Sequence, residues 1–266
     1  MLHDWTEGYG LLKNGARTLN RFEKQSELNQ LDLITSCDLS VVLYPKSRDY
    51  LVDVCGKQYS NKIRYICNPV NAQPYTKEEI QNRMAHCSTK DETIHLLVVG
   101  GSWYQQNVEY VIQAADKLRN PKIVVDVVGR NSAATKPEYC KVIFHGYLSK
   151  DNAKERELYD SLFMKAKCLV NIRLGWGAGS SAAEAMYKYL PVIIGKYPDI
   201  VAMYGDAEGR FGFYCTPGDV DELAVQLRKL IEMPPVEYAK LCESAHEITC
   251  NDTYQRLVQE ILDFVG

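Results

Sequence analysis

The chain has 266 residues, 46% of them hydrophobic and 24% charged, with a net charge of −3. That length and composition suit one large soluble domain or two small ones, and the charge lacks the basic excess that holds a nucleic-acid backbone, so no nucleic-acid partner is expected. The nine cysteines are scattered without a CxxC pair, which excludes a disulfide framework and reads as buried, reduced thiols.

Residues 1–17 carry acids and no apolar core, so no signal peptide is expected there. No apolar run approaches the roughly 20 residues needed to cross a bilayer. A cytoplasmic setting is expected, with docking at a membrane surface left open. A helix is expected over 15–35, with Leu19, Phe22, Leu28, Leu31 and Ile34 inward. A strand at 40–44, a helix at 47–54 and a strand at 62–66 follow. Two strands cannot build a doubly wound domain, so 1–70 reads as the tail of one. Residues 71–92 are polar, carry Pro74 and read as a linker.

From residue 94 strands and helices alternate. Strands are expected at 94–99, 122–128, 141–144, 168–172, 192–194 and 211–214. Val108, Val111, Ile112, Ala115 and Leu118 mark one helix face; Leu158, Tyr159, Leu162, Phe163 and Ala166 mark the next. Apolar strands joined by helices imply an α/β fold with a Rossmann-like, doubly wound parallel sheet over 93–266. Three helices end the chain: a stripe at Val220, Leu223, Ala224, Leu227, Leu230 and Ile231, a segment near 236–247, and a stripe at Tyr254, Leu257, Val258, Ile261, Leu262 and Val265. Core packing is expected for each stripe. His86, Cys87 and His95 lack a second ligand pair, so no metal site is expected.

Residues 168–195, CLVNIRLGWGAGSSAAEAMYKYLPVIIG, read as strand, glycine-rich loop, helix and strand. Gly175, Gly177 and Gly179 let main chain approach a ligand, and the helix start after them attracts an anion. Glu184, one turn into that helix, suits hydroxyl groups better than phosphate. The pair suggests a ligand with both phosphate and sugar. In a sheet ordered 3-2-1-4-5-6, the loops after strands 1 and 4 diverge and leave a crevice. Strand 1 ends in Gly100, Gly101 and Ser102, and strand 4 ends in the glycine-rich loop, so both meet at that crevice. A dinucleotide fingerprint belongs after strand 1, where GGSWYQQN lacks it, and no G-x-S-x-G elbow supports a serine hydrolase.

In order along the chain, LLVVGG, NVEYVIQAADKL, IVVDVVGR, VIFHGYLSKDNAKERELYDSLFMKAKCLVNI and AAEAMYKYLPVI resemble the C-terminal half of a family 4 glycosyltransferase of the GT-B fold. CDLSVVLYPKSRDYL and KIRYICNPVN are similar to the end of its N-terminal half, so the resemblance runs over about 15–266. It implies retaining transfer of a sugar from a UDP- or GDP-sugar to a carbohydrate or lipid-linked acceptor, with no obligatory metal and no further cofactor. It implies that Glu184 holds ribose hydroxyls, that Gly177, Ala178, Gly179, Ser180 and Ser181 present N–H groups to donor sugar and diphosphate, and that Tyr147 and Leu148 lie by the base.

The chain departs from the family at three positions. Trp176 replaces the first Glu of the Glu-x7-Glu motif, and Gly101 and Gln106 replace the basic pair that meets the diphosphate. Arg173 is the candidate to offset leaving-group charge, with Arg130 second; the alternative for each is a surface or structural ion pair. Ser102 and Gln106 offer neutral hydrogen bonds. Trp176 either stacks on the ligand or caps its loop, and the alternative for Glu184 is a plain surface acid. Two readings of function follow: a glycosyltransferase, with a second chain as one source of the missing N-terminal half, or a non-catalytic nucleotide- or partner-binding module. An epimerase on a related fold is a third.

Overall fold

The computed structural model describes residues 29, 31–67, 69–88, 93–101, 105–174 and 179–266. Strands β1 (Ser40–Val42) and β2 (Ile63–Tyr65) pair in parallel around helix α1 (Pro45–Cys55). Ile34, Val42, Leu51, Val52 and Ile63 form their common core. Helical residues 31–36 agree with the end of the expected first helix, and Ile34 is inward. Leu19, Phe22 and Leu28 lie outside the described residues.

The stretch expected as a linker holds a helix, α2 (Lys77–Ser88). Its start is a capping box: Thr76 Oγ1 accepts from Glu79 N at 3.2 Å, and Glu79 Oε2 accepts from Thr76 N at 2.7 Å. These bonds hold the Glu79 carboxyl below its ordinary range. One turn on, Arg83 is fully buried. Its Nη1 donates to the carbonyls of Met164 and Ala166, both at 2.9 Å, its Nε to Tyr189 O at 3.2 Å and its Nη2 to Tyr238 Oη at 3.0 Å. A polar sequence pattern hid this helix because its anchor is a cation, satisfied by main-chain acceptors of other elements.

The remaining strands are β3 (Ile94–Val99), β4 (Ile123–Val128), β5 (Lys141–Gly146), β6 (Ala166–Asn171), β7 (Val192–Gly195) and β8 (Gly212–Cys215). They form one parallel sheet in the order β5-β4-β3-β6-β7-β8, the doubly wound order expected. Neighbouring residues serve opposite layers, as strand alternation requires. Leu96, Val98, Val125 and Val170 face α3 (Gln105–Lys117), α7 (Val220–Glu232) and α8 (Pro235–Thr249). Leu97, Leu169, Val192 and Ile194 face α4 (Ala153–Lys165), α5 (Ser180–Tyr187) and α6 (Pro198–Tyr204). Helix α6 was not expected; it is short and opens on a proline. Leu158 lies outside the buried stripe of α4, which consists of Tyr159, Leu162 and Phe163.

The last helix, α9 (Tyr254–Val265), corrects one expectation. Its apolar stripe is not core: Tyr254 is 52%, Val258 52% and Leu262 57% exposed. The helix turns back towards β2, where Arg64 stacks on Phe264, and Leu257 and Ile261 of the stripe are half-buried.

A charge lies inside the sheet. Asp126 on β4 accepts from His95 Nδ1 at 2.6 Å and His145 Nε2 at 2.7 Å, with Lys165 Nζ at 3.5 Å. His95, weighed in the sequence as part of a metal set, is thus engaged by a carboxylate. Among the described residues no helix is long and apolar enough to cross a membrane.

Candidate functional site

The sheet order places the C-terminal ends of β3 and β6 side by side at the point where the winding reverses. The floor on the β3 side is main chain. Gly100 N donates to Val128 O at 3.0 Å, and Gly129 N donates to Gly146 O at 2.6 Å. Gly129 has φ +93, and a Cβ there would stand 2.5 Å from Gly100 O. Only glycine allows the turns after β3 and β4 to close this tightly.

The β6 side is clamped from α3. Asn107, fully buried, donates through Nδ2 to Val170 O at 3.1 Å and accepts from Ile172 N at 2.7 Å. This one amide fixes the exit of β6 against the first turn of α3. Beyond it Tyr197 Oη donates to the Arg173 carbonyl. The Arg173 side chain is partly buried. Gly179 closes the loop with φ +64 and caps α5. Two buried polar atoms here have no hydrogen-bond partner among the described residues, Asn171 Oδ1 at the end of β6 and Ser181 Oγ in the first turn of α5. Buried polar atoms in proteins are ordinarily paired, so both fit a place that a polar ligand completes.

Glu184 is not a surface acid. It is 6% exposed, and both carboxylate oxygens are engaged. Lys150 Nζ donates to Oε1 at 2.6 Å, and Tyr159 Oη donates to Oε2 at 3.0 Å. Burial, then the adjacent Glu184 charge, pushes the Tyr159 hydroxyl well above its ordinary pKa, so it remains a donor. The Lys150 loop is itself held: Ser149 N donates to Glu155 Oε2 at 2.7 Å, and Asn152 caps α4 by accepting from Lys154 N and Glu155 N.

The other expected residues divide. Gly100, Gly179, Ser180, Ser181, Glu184 and Arg173 stand on the β3, β6 and α5 segments that meet at the winding reversal. Gly101 is exposed just past β3, and Gln106 is exposed in the first turn of α3. Tyr147 is 81% exposed, whereas Leu148 packs against the α4–α5 core. Arg130 lies near Glu109, whose carboxylate accepts from Ala134 N and Thr135 N, both at 2.7 Å. Ser102, Gly175, Trp176, Gly177 and Ala178 lie outside the described residues. Asn107, Lys150, Tyr159 and Tyr197 were missed, since each reaches the site from another element and no local motif marks it, and Asn171 was missed because it reads as an ordinary strand residue at the end of β6.

A family model for glycosyl transferases of group 1 matches residues 93–233, more than half of the chain. The chain belongs to this family. Among curated proteins no sequence matches it. Several solved structures share the fold of this chain. An S. aureus TarM mutant, crystallised with fondaparinux, α-GlcNAc-glycerol and UDP, has a TM-score of 0.64 at 16% identity over 93% of this chain and 48% of its own. Anabaena Alr3699/HepE, in complex with UDP and glucose, has a TM-score of 0.59 at 16% identity, over 85% of this chain and 63% of its own. Sucrose-phosphate synthase from Thermosynechococcus elongatus has a TM-score of 0.62 at 16% identity, over 89% and 59%. The fold is therefore the Rossmann-like GT-B glycosyltransferase architecture. This group 1 transferase chain spans about half the length of TarM.

Proposed function

We propose that this chain carries the donor half of a retaining, family 4-type glycosyltransferase that takes a UDP- or GDP-sugar. The observation that carries the reading is Glu184: a buried carboxylate on α5, immediately past the glycine loop at the reversal of the sheet, held from two sides. In this reading Glu184 accepts the ribose hydroxyls. The N–H groups at the start of α5, from Gly179 to Ser181 and joined by Gly177 and Ala178, face the diphosphate. Ser102, Gly100, Gly101 and Gln106 line the opposite side, and Tyr147 and Leu148 flank the base. The unpartnered Ser181 Oγ and Asn171 Oδ1 support a polar occupant there.

A departing nucleoside diphosphate needs compensating charge. A helix terminus contributes only about 0.3–2 kcal/mol. Arg173 is assigned the rest, because it leaves β6 at the crevice while Arg130 lies within electrostatic reach of Glu109. Trp176 stands where the family has its first acid, so the donor sugar is recognised with one carboxylate fewer. The acceptor is a carbohydrate or lipid-linked glycan, the transfer needs no metal, and the N-terminal half of the acceptor site comes from outside these residues, a second chain being one source. The setting is cytoplasmic, with docking at a membrane surface left open.

Calorimetry with UDP, GDP and their sugars tests this. Binding is expected without divalent metal, unchanged by EDTA, and Glu184→Ala should weaken it at least about tenfold, since one charge-assisted hydrogen bond contributes roughly 1.5–3 kcal/mol. Equal affinity in the variant would remove Glu184 from the site. Tight binding with no donor hydrolysis, even with an N-terminal half supplied, would assign the non-catalytic alternative.

A further inference from the structure

Resting on the nucleotide reading of Glu184, we infer that Lys150 is a positioning residue that couples the ribose position to the crossover between the two parts of the chain. Its ammonium donates to Glu184 Oε1 and to the main-chain carbonyl of Asn71, each at 2.6 Å. The same ammonium stands 4.9 Å above the Tyr159 ring, while the Tyr159 hydroxyl holds the other oxygen of Glu184 at 3.0 Å. Lysine, glutamate and tyrosine thus close a triangle with one outlet, the Asn71 carbonyl. The crossover is seated beside it: Val70 packs on Ala183 and Tyr187, on the same helix as Glu184.

A carboxylate offers about four lone-pair directions. Lys150 and Tyr159 take one on each oxygen and leave one on each, the pattern that receives two neighbouring hydroxyls. The ammonium also offsets a negative charge in a nearly inaccessible place, where an unpaired carboxylate is costly. A diol that binds Oε1 shares its acceptor with Lys150, and Lys150 shares its remaining donors with Asn71. The ligand and the crossover therefore meet on one cation. Because the far end of the tie is a backbone carbonyl, it depends on the path of the chain and not on the identity of residue 71.

The test uses the full chain in four forms, wild type, Lys150→Met, Lys150→Arg and Tyr159→Phe. Calorimetry is run with UDP, GDP and the 2′-deoxy form of whichever binds, and amide hydrogen exchange is followed at residues 70–72. Wild type is expected to prefer the ribonucleotide and to slow exchange at 70–72 when it binds. Lys150→Met should lose about tenfold in ribonucleotide affinity, the scale of one hydrogen bond to a charged group. It should also lose most of the ribo-over-deoxy preference and exchange faster at 70–72 without ligand. Lys150→Arg should recover part of each, and Tyr159→Phe should lower affinity while leaving the response at 70–72 in place. A Lys150→Met protein with wild-type preference and wild-type exchange overturns the inference. Tighter binding by Lys150→Met also overturns it, since the ammonium would then be occupying the hydroxyl position. If wild type binds neither UDP nor GDP, the nucleotide reading falls and takes the ribose coupling with it; exchange at 70–72 in ligand-free Lys150→Met then decides whether the tie to the crossover stands.

Discussion

Gly129 and Arg173 bound the crevice from opposite sides and fail in different ways. A methyl group on Gly129 meets the Gly100 carbonyl at 2.5 Å and must also bear a φ of +93. Gly129→Ala is expected to push the Gly100–Gly101 turn out of place and to destabilise the fold by about 1–3 kcal/mol, read from urea denaturation, with weaker nucleotide binding by calorimetry. Arg173→Ala should act on chemistry instead: roughly 10²–10³ in donor turnover with a smaller change in nucleotide affinity. Equal losses in both would make Arg173 a docking residue. Glu184 was legible in the sequence because a glycine run and a helix start point to it. Its partners were not, since Tyr159 and Lys150 lie 25 and 34 residues away and meet it only once α4 packs beside α5.

At the scale of elements, the strands were legible because apolar runs buried on both faces have few other readings. Every residue of β4 is buried, its one acid included. Helix α2 was not legible, although the Thr76–Glu79 capping box stood in the sequence as a local sign. An apolar stripe usually announces a docked helix, and here a buried arginine does most of that work, with Met84 beside it packed against the core. Arg83→Met should leave three carbonyls and the Tyr238 hydroxyl without their donor, costing on the order of 3 kcal/mol of unfolding free energy. Thr76→Ala should cost only about 1 kcal/mol, the usual loss of an N-cap. Both are checked by urea denaturation at neutral pH, and comparable values would show that Arg83 contributes no more than the cap. The stripe of α9 shows the converse: helical periodicity was read correctly, but periodicity does not say whether the surface that covers a face belongs to the same residues.

For the molecule as a whole, the charge inside the sheet is one contributor to acid sensitivity, beside Glu79, Glu109 and Asp116, whose carboxyls are also lowered. Burial pushes the Asp126 carboxyl up, but hydrogen bonds from His95 and His145, with the Lys165 charge, bring it below its ordinary value. A carboxyl lowered in the folded state stabilises above its unfolded pKa of about 3.9 and loses that contribution as pH falls through the folded value. Asp126→Asn should therefore be less stable than wild type at pH 6, by roughly 2–3 kcal/mol, and the gap should close towards pH 2. Denaturation curves at the two pH values check the sign, and a gap that widens in acid would contradict it.

The chain passes between its two parts at residues 69–76 and again near 250–254, and Val70 N donates to Asp252 O at 2.7 Å where the passages run side by side. The Cys67 thiol donates to Asp252 Oδ2 at 3.3 Å beside it, so the two passages are joined at both the main chain and the side chain of Asp252. The small β1–β2 unit is also held away from these passages, where Lys46 N donates to Asp199 Oδ1 at 3.1 Å, so it stays anchored to the six-stranded body at a second place.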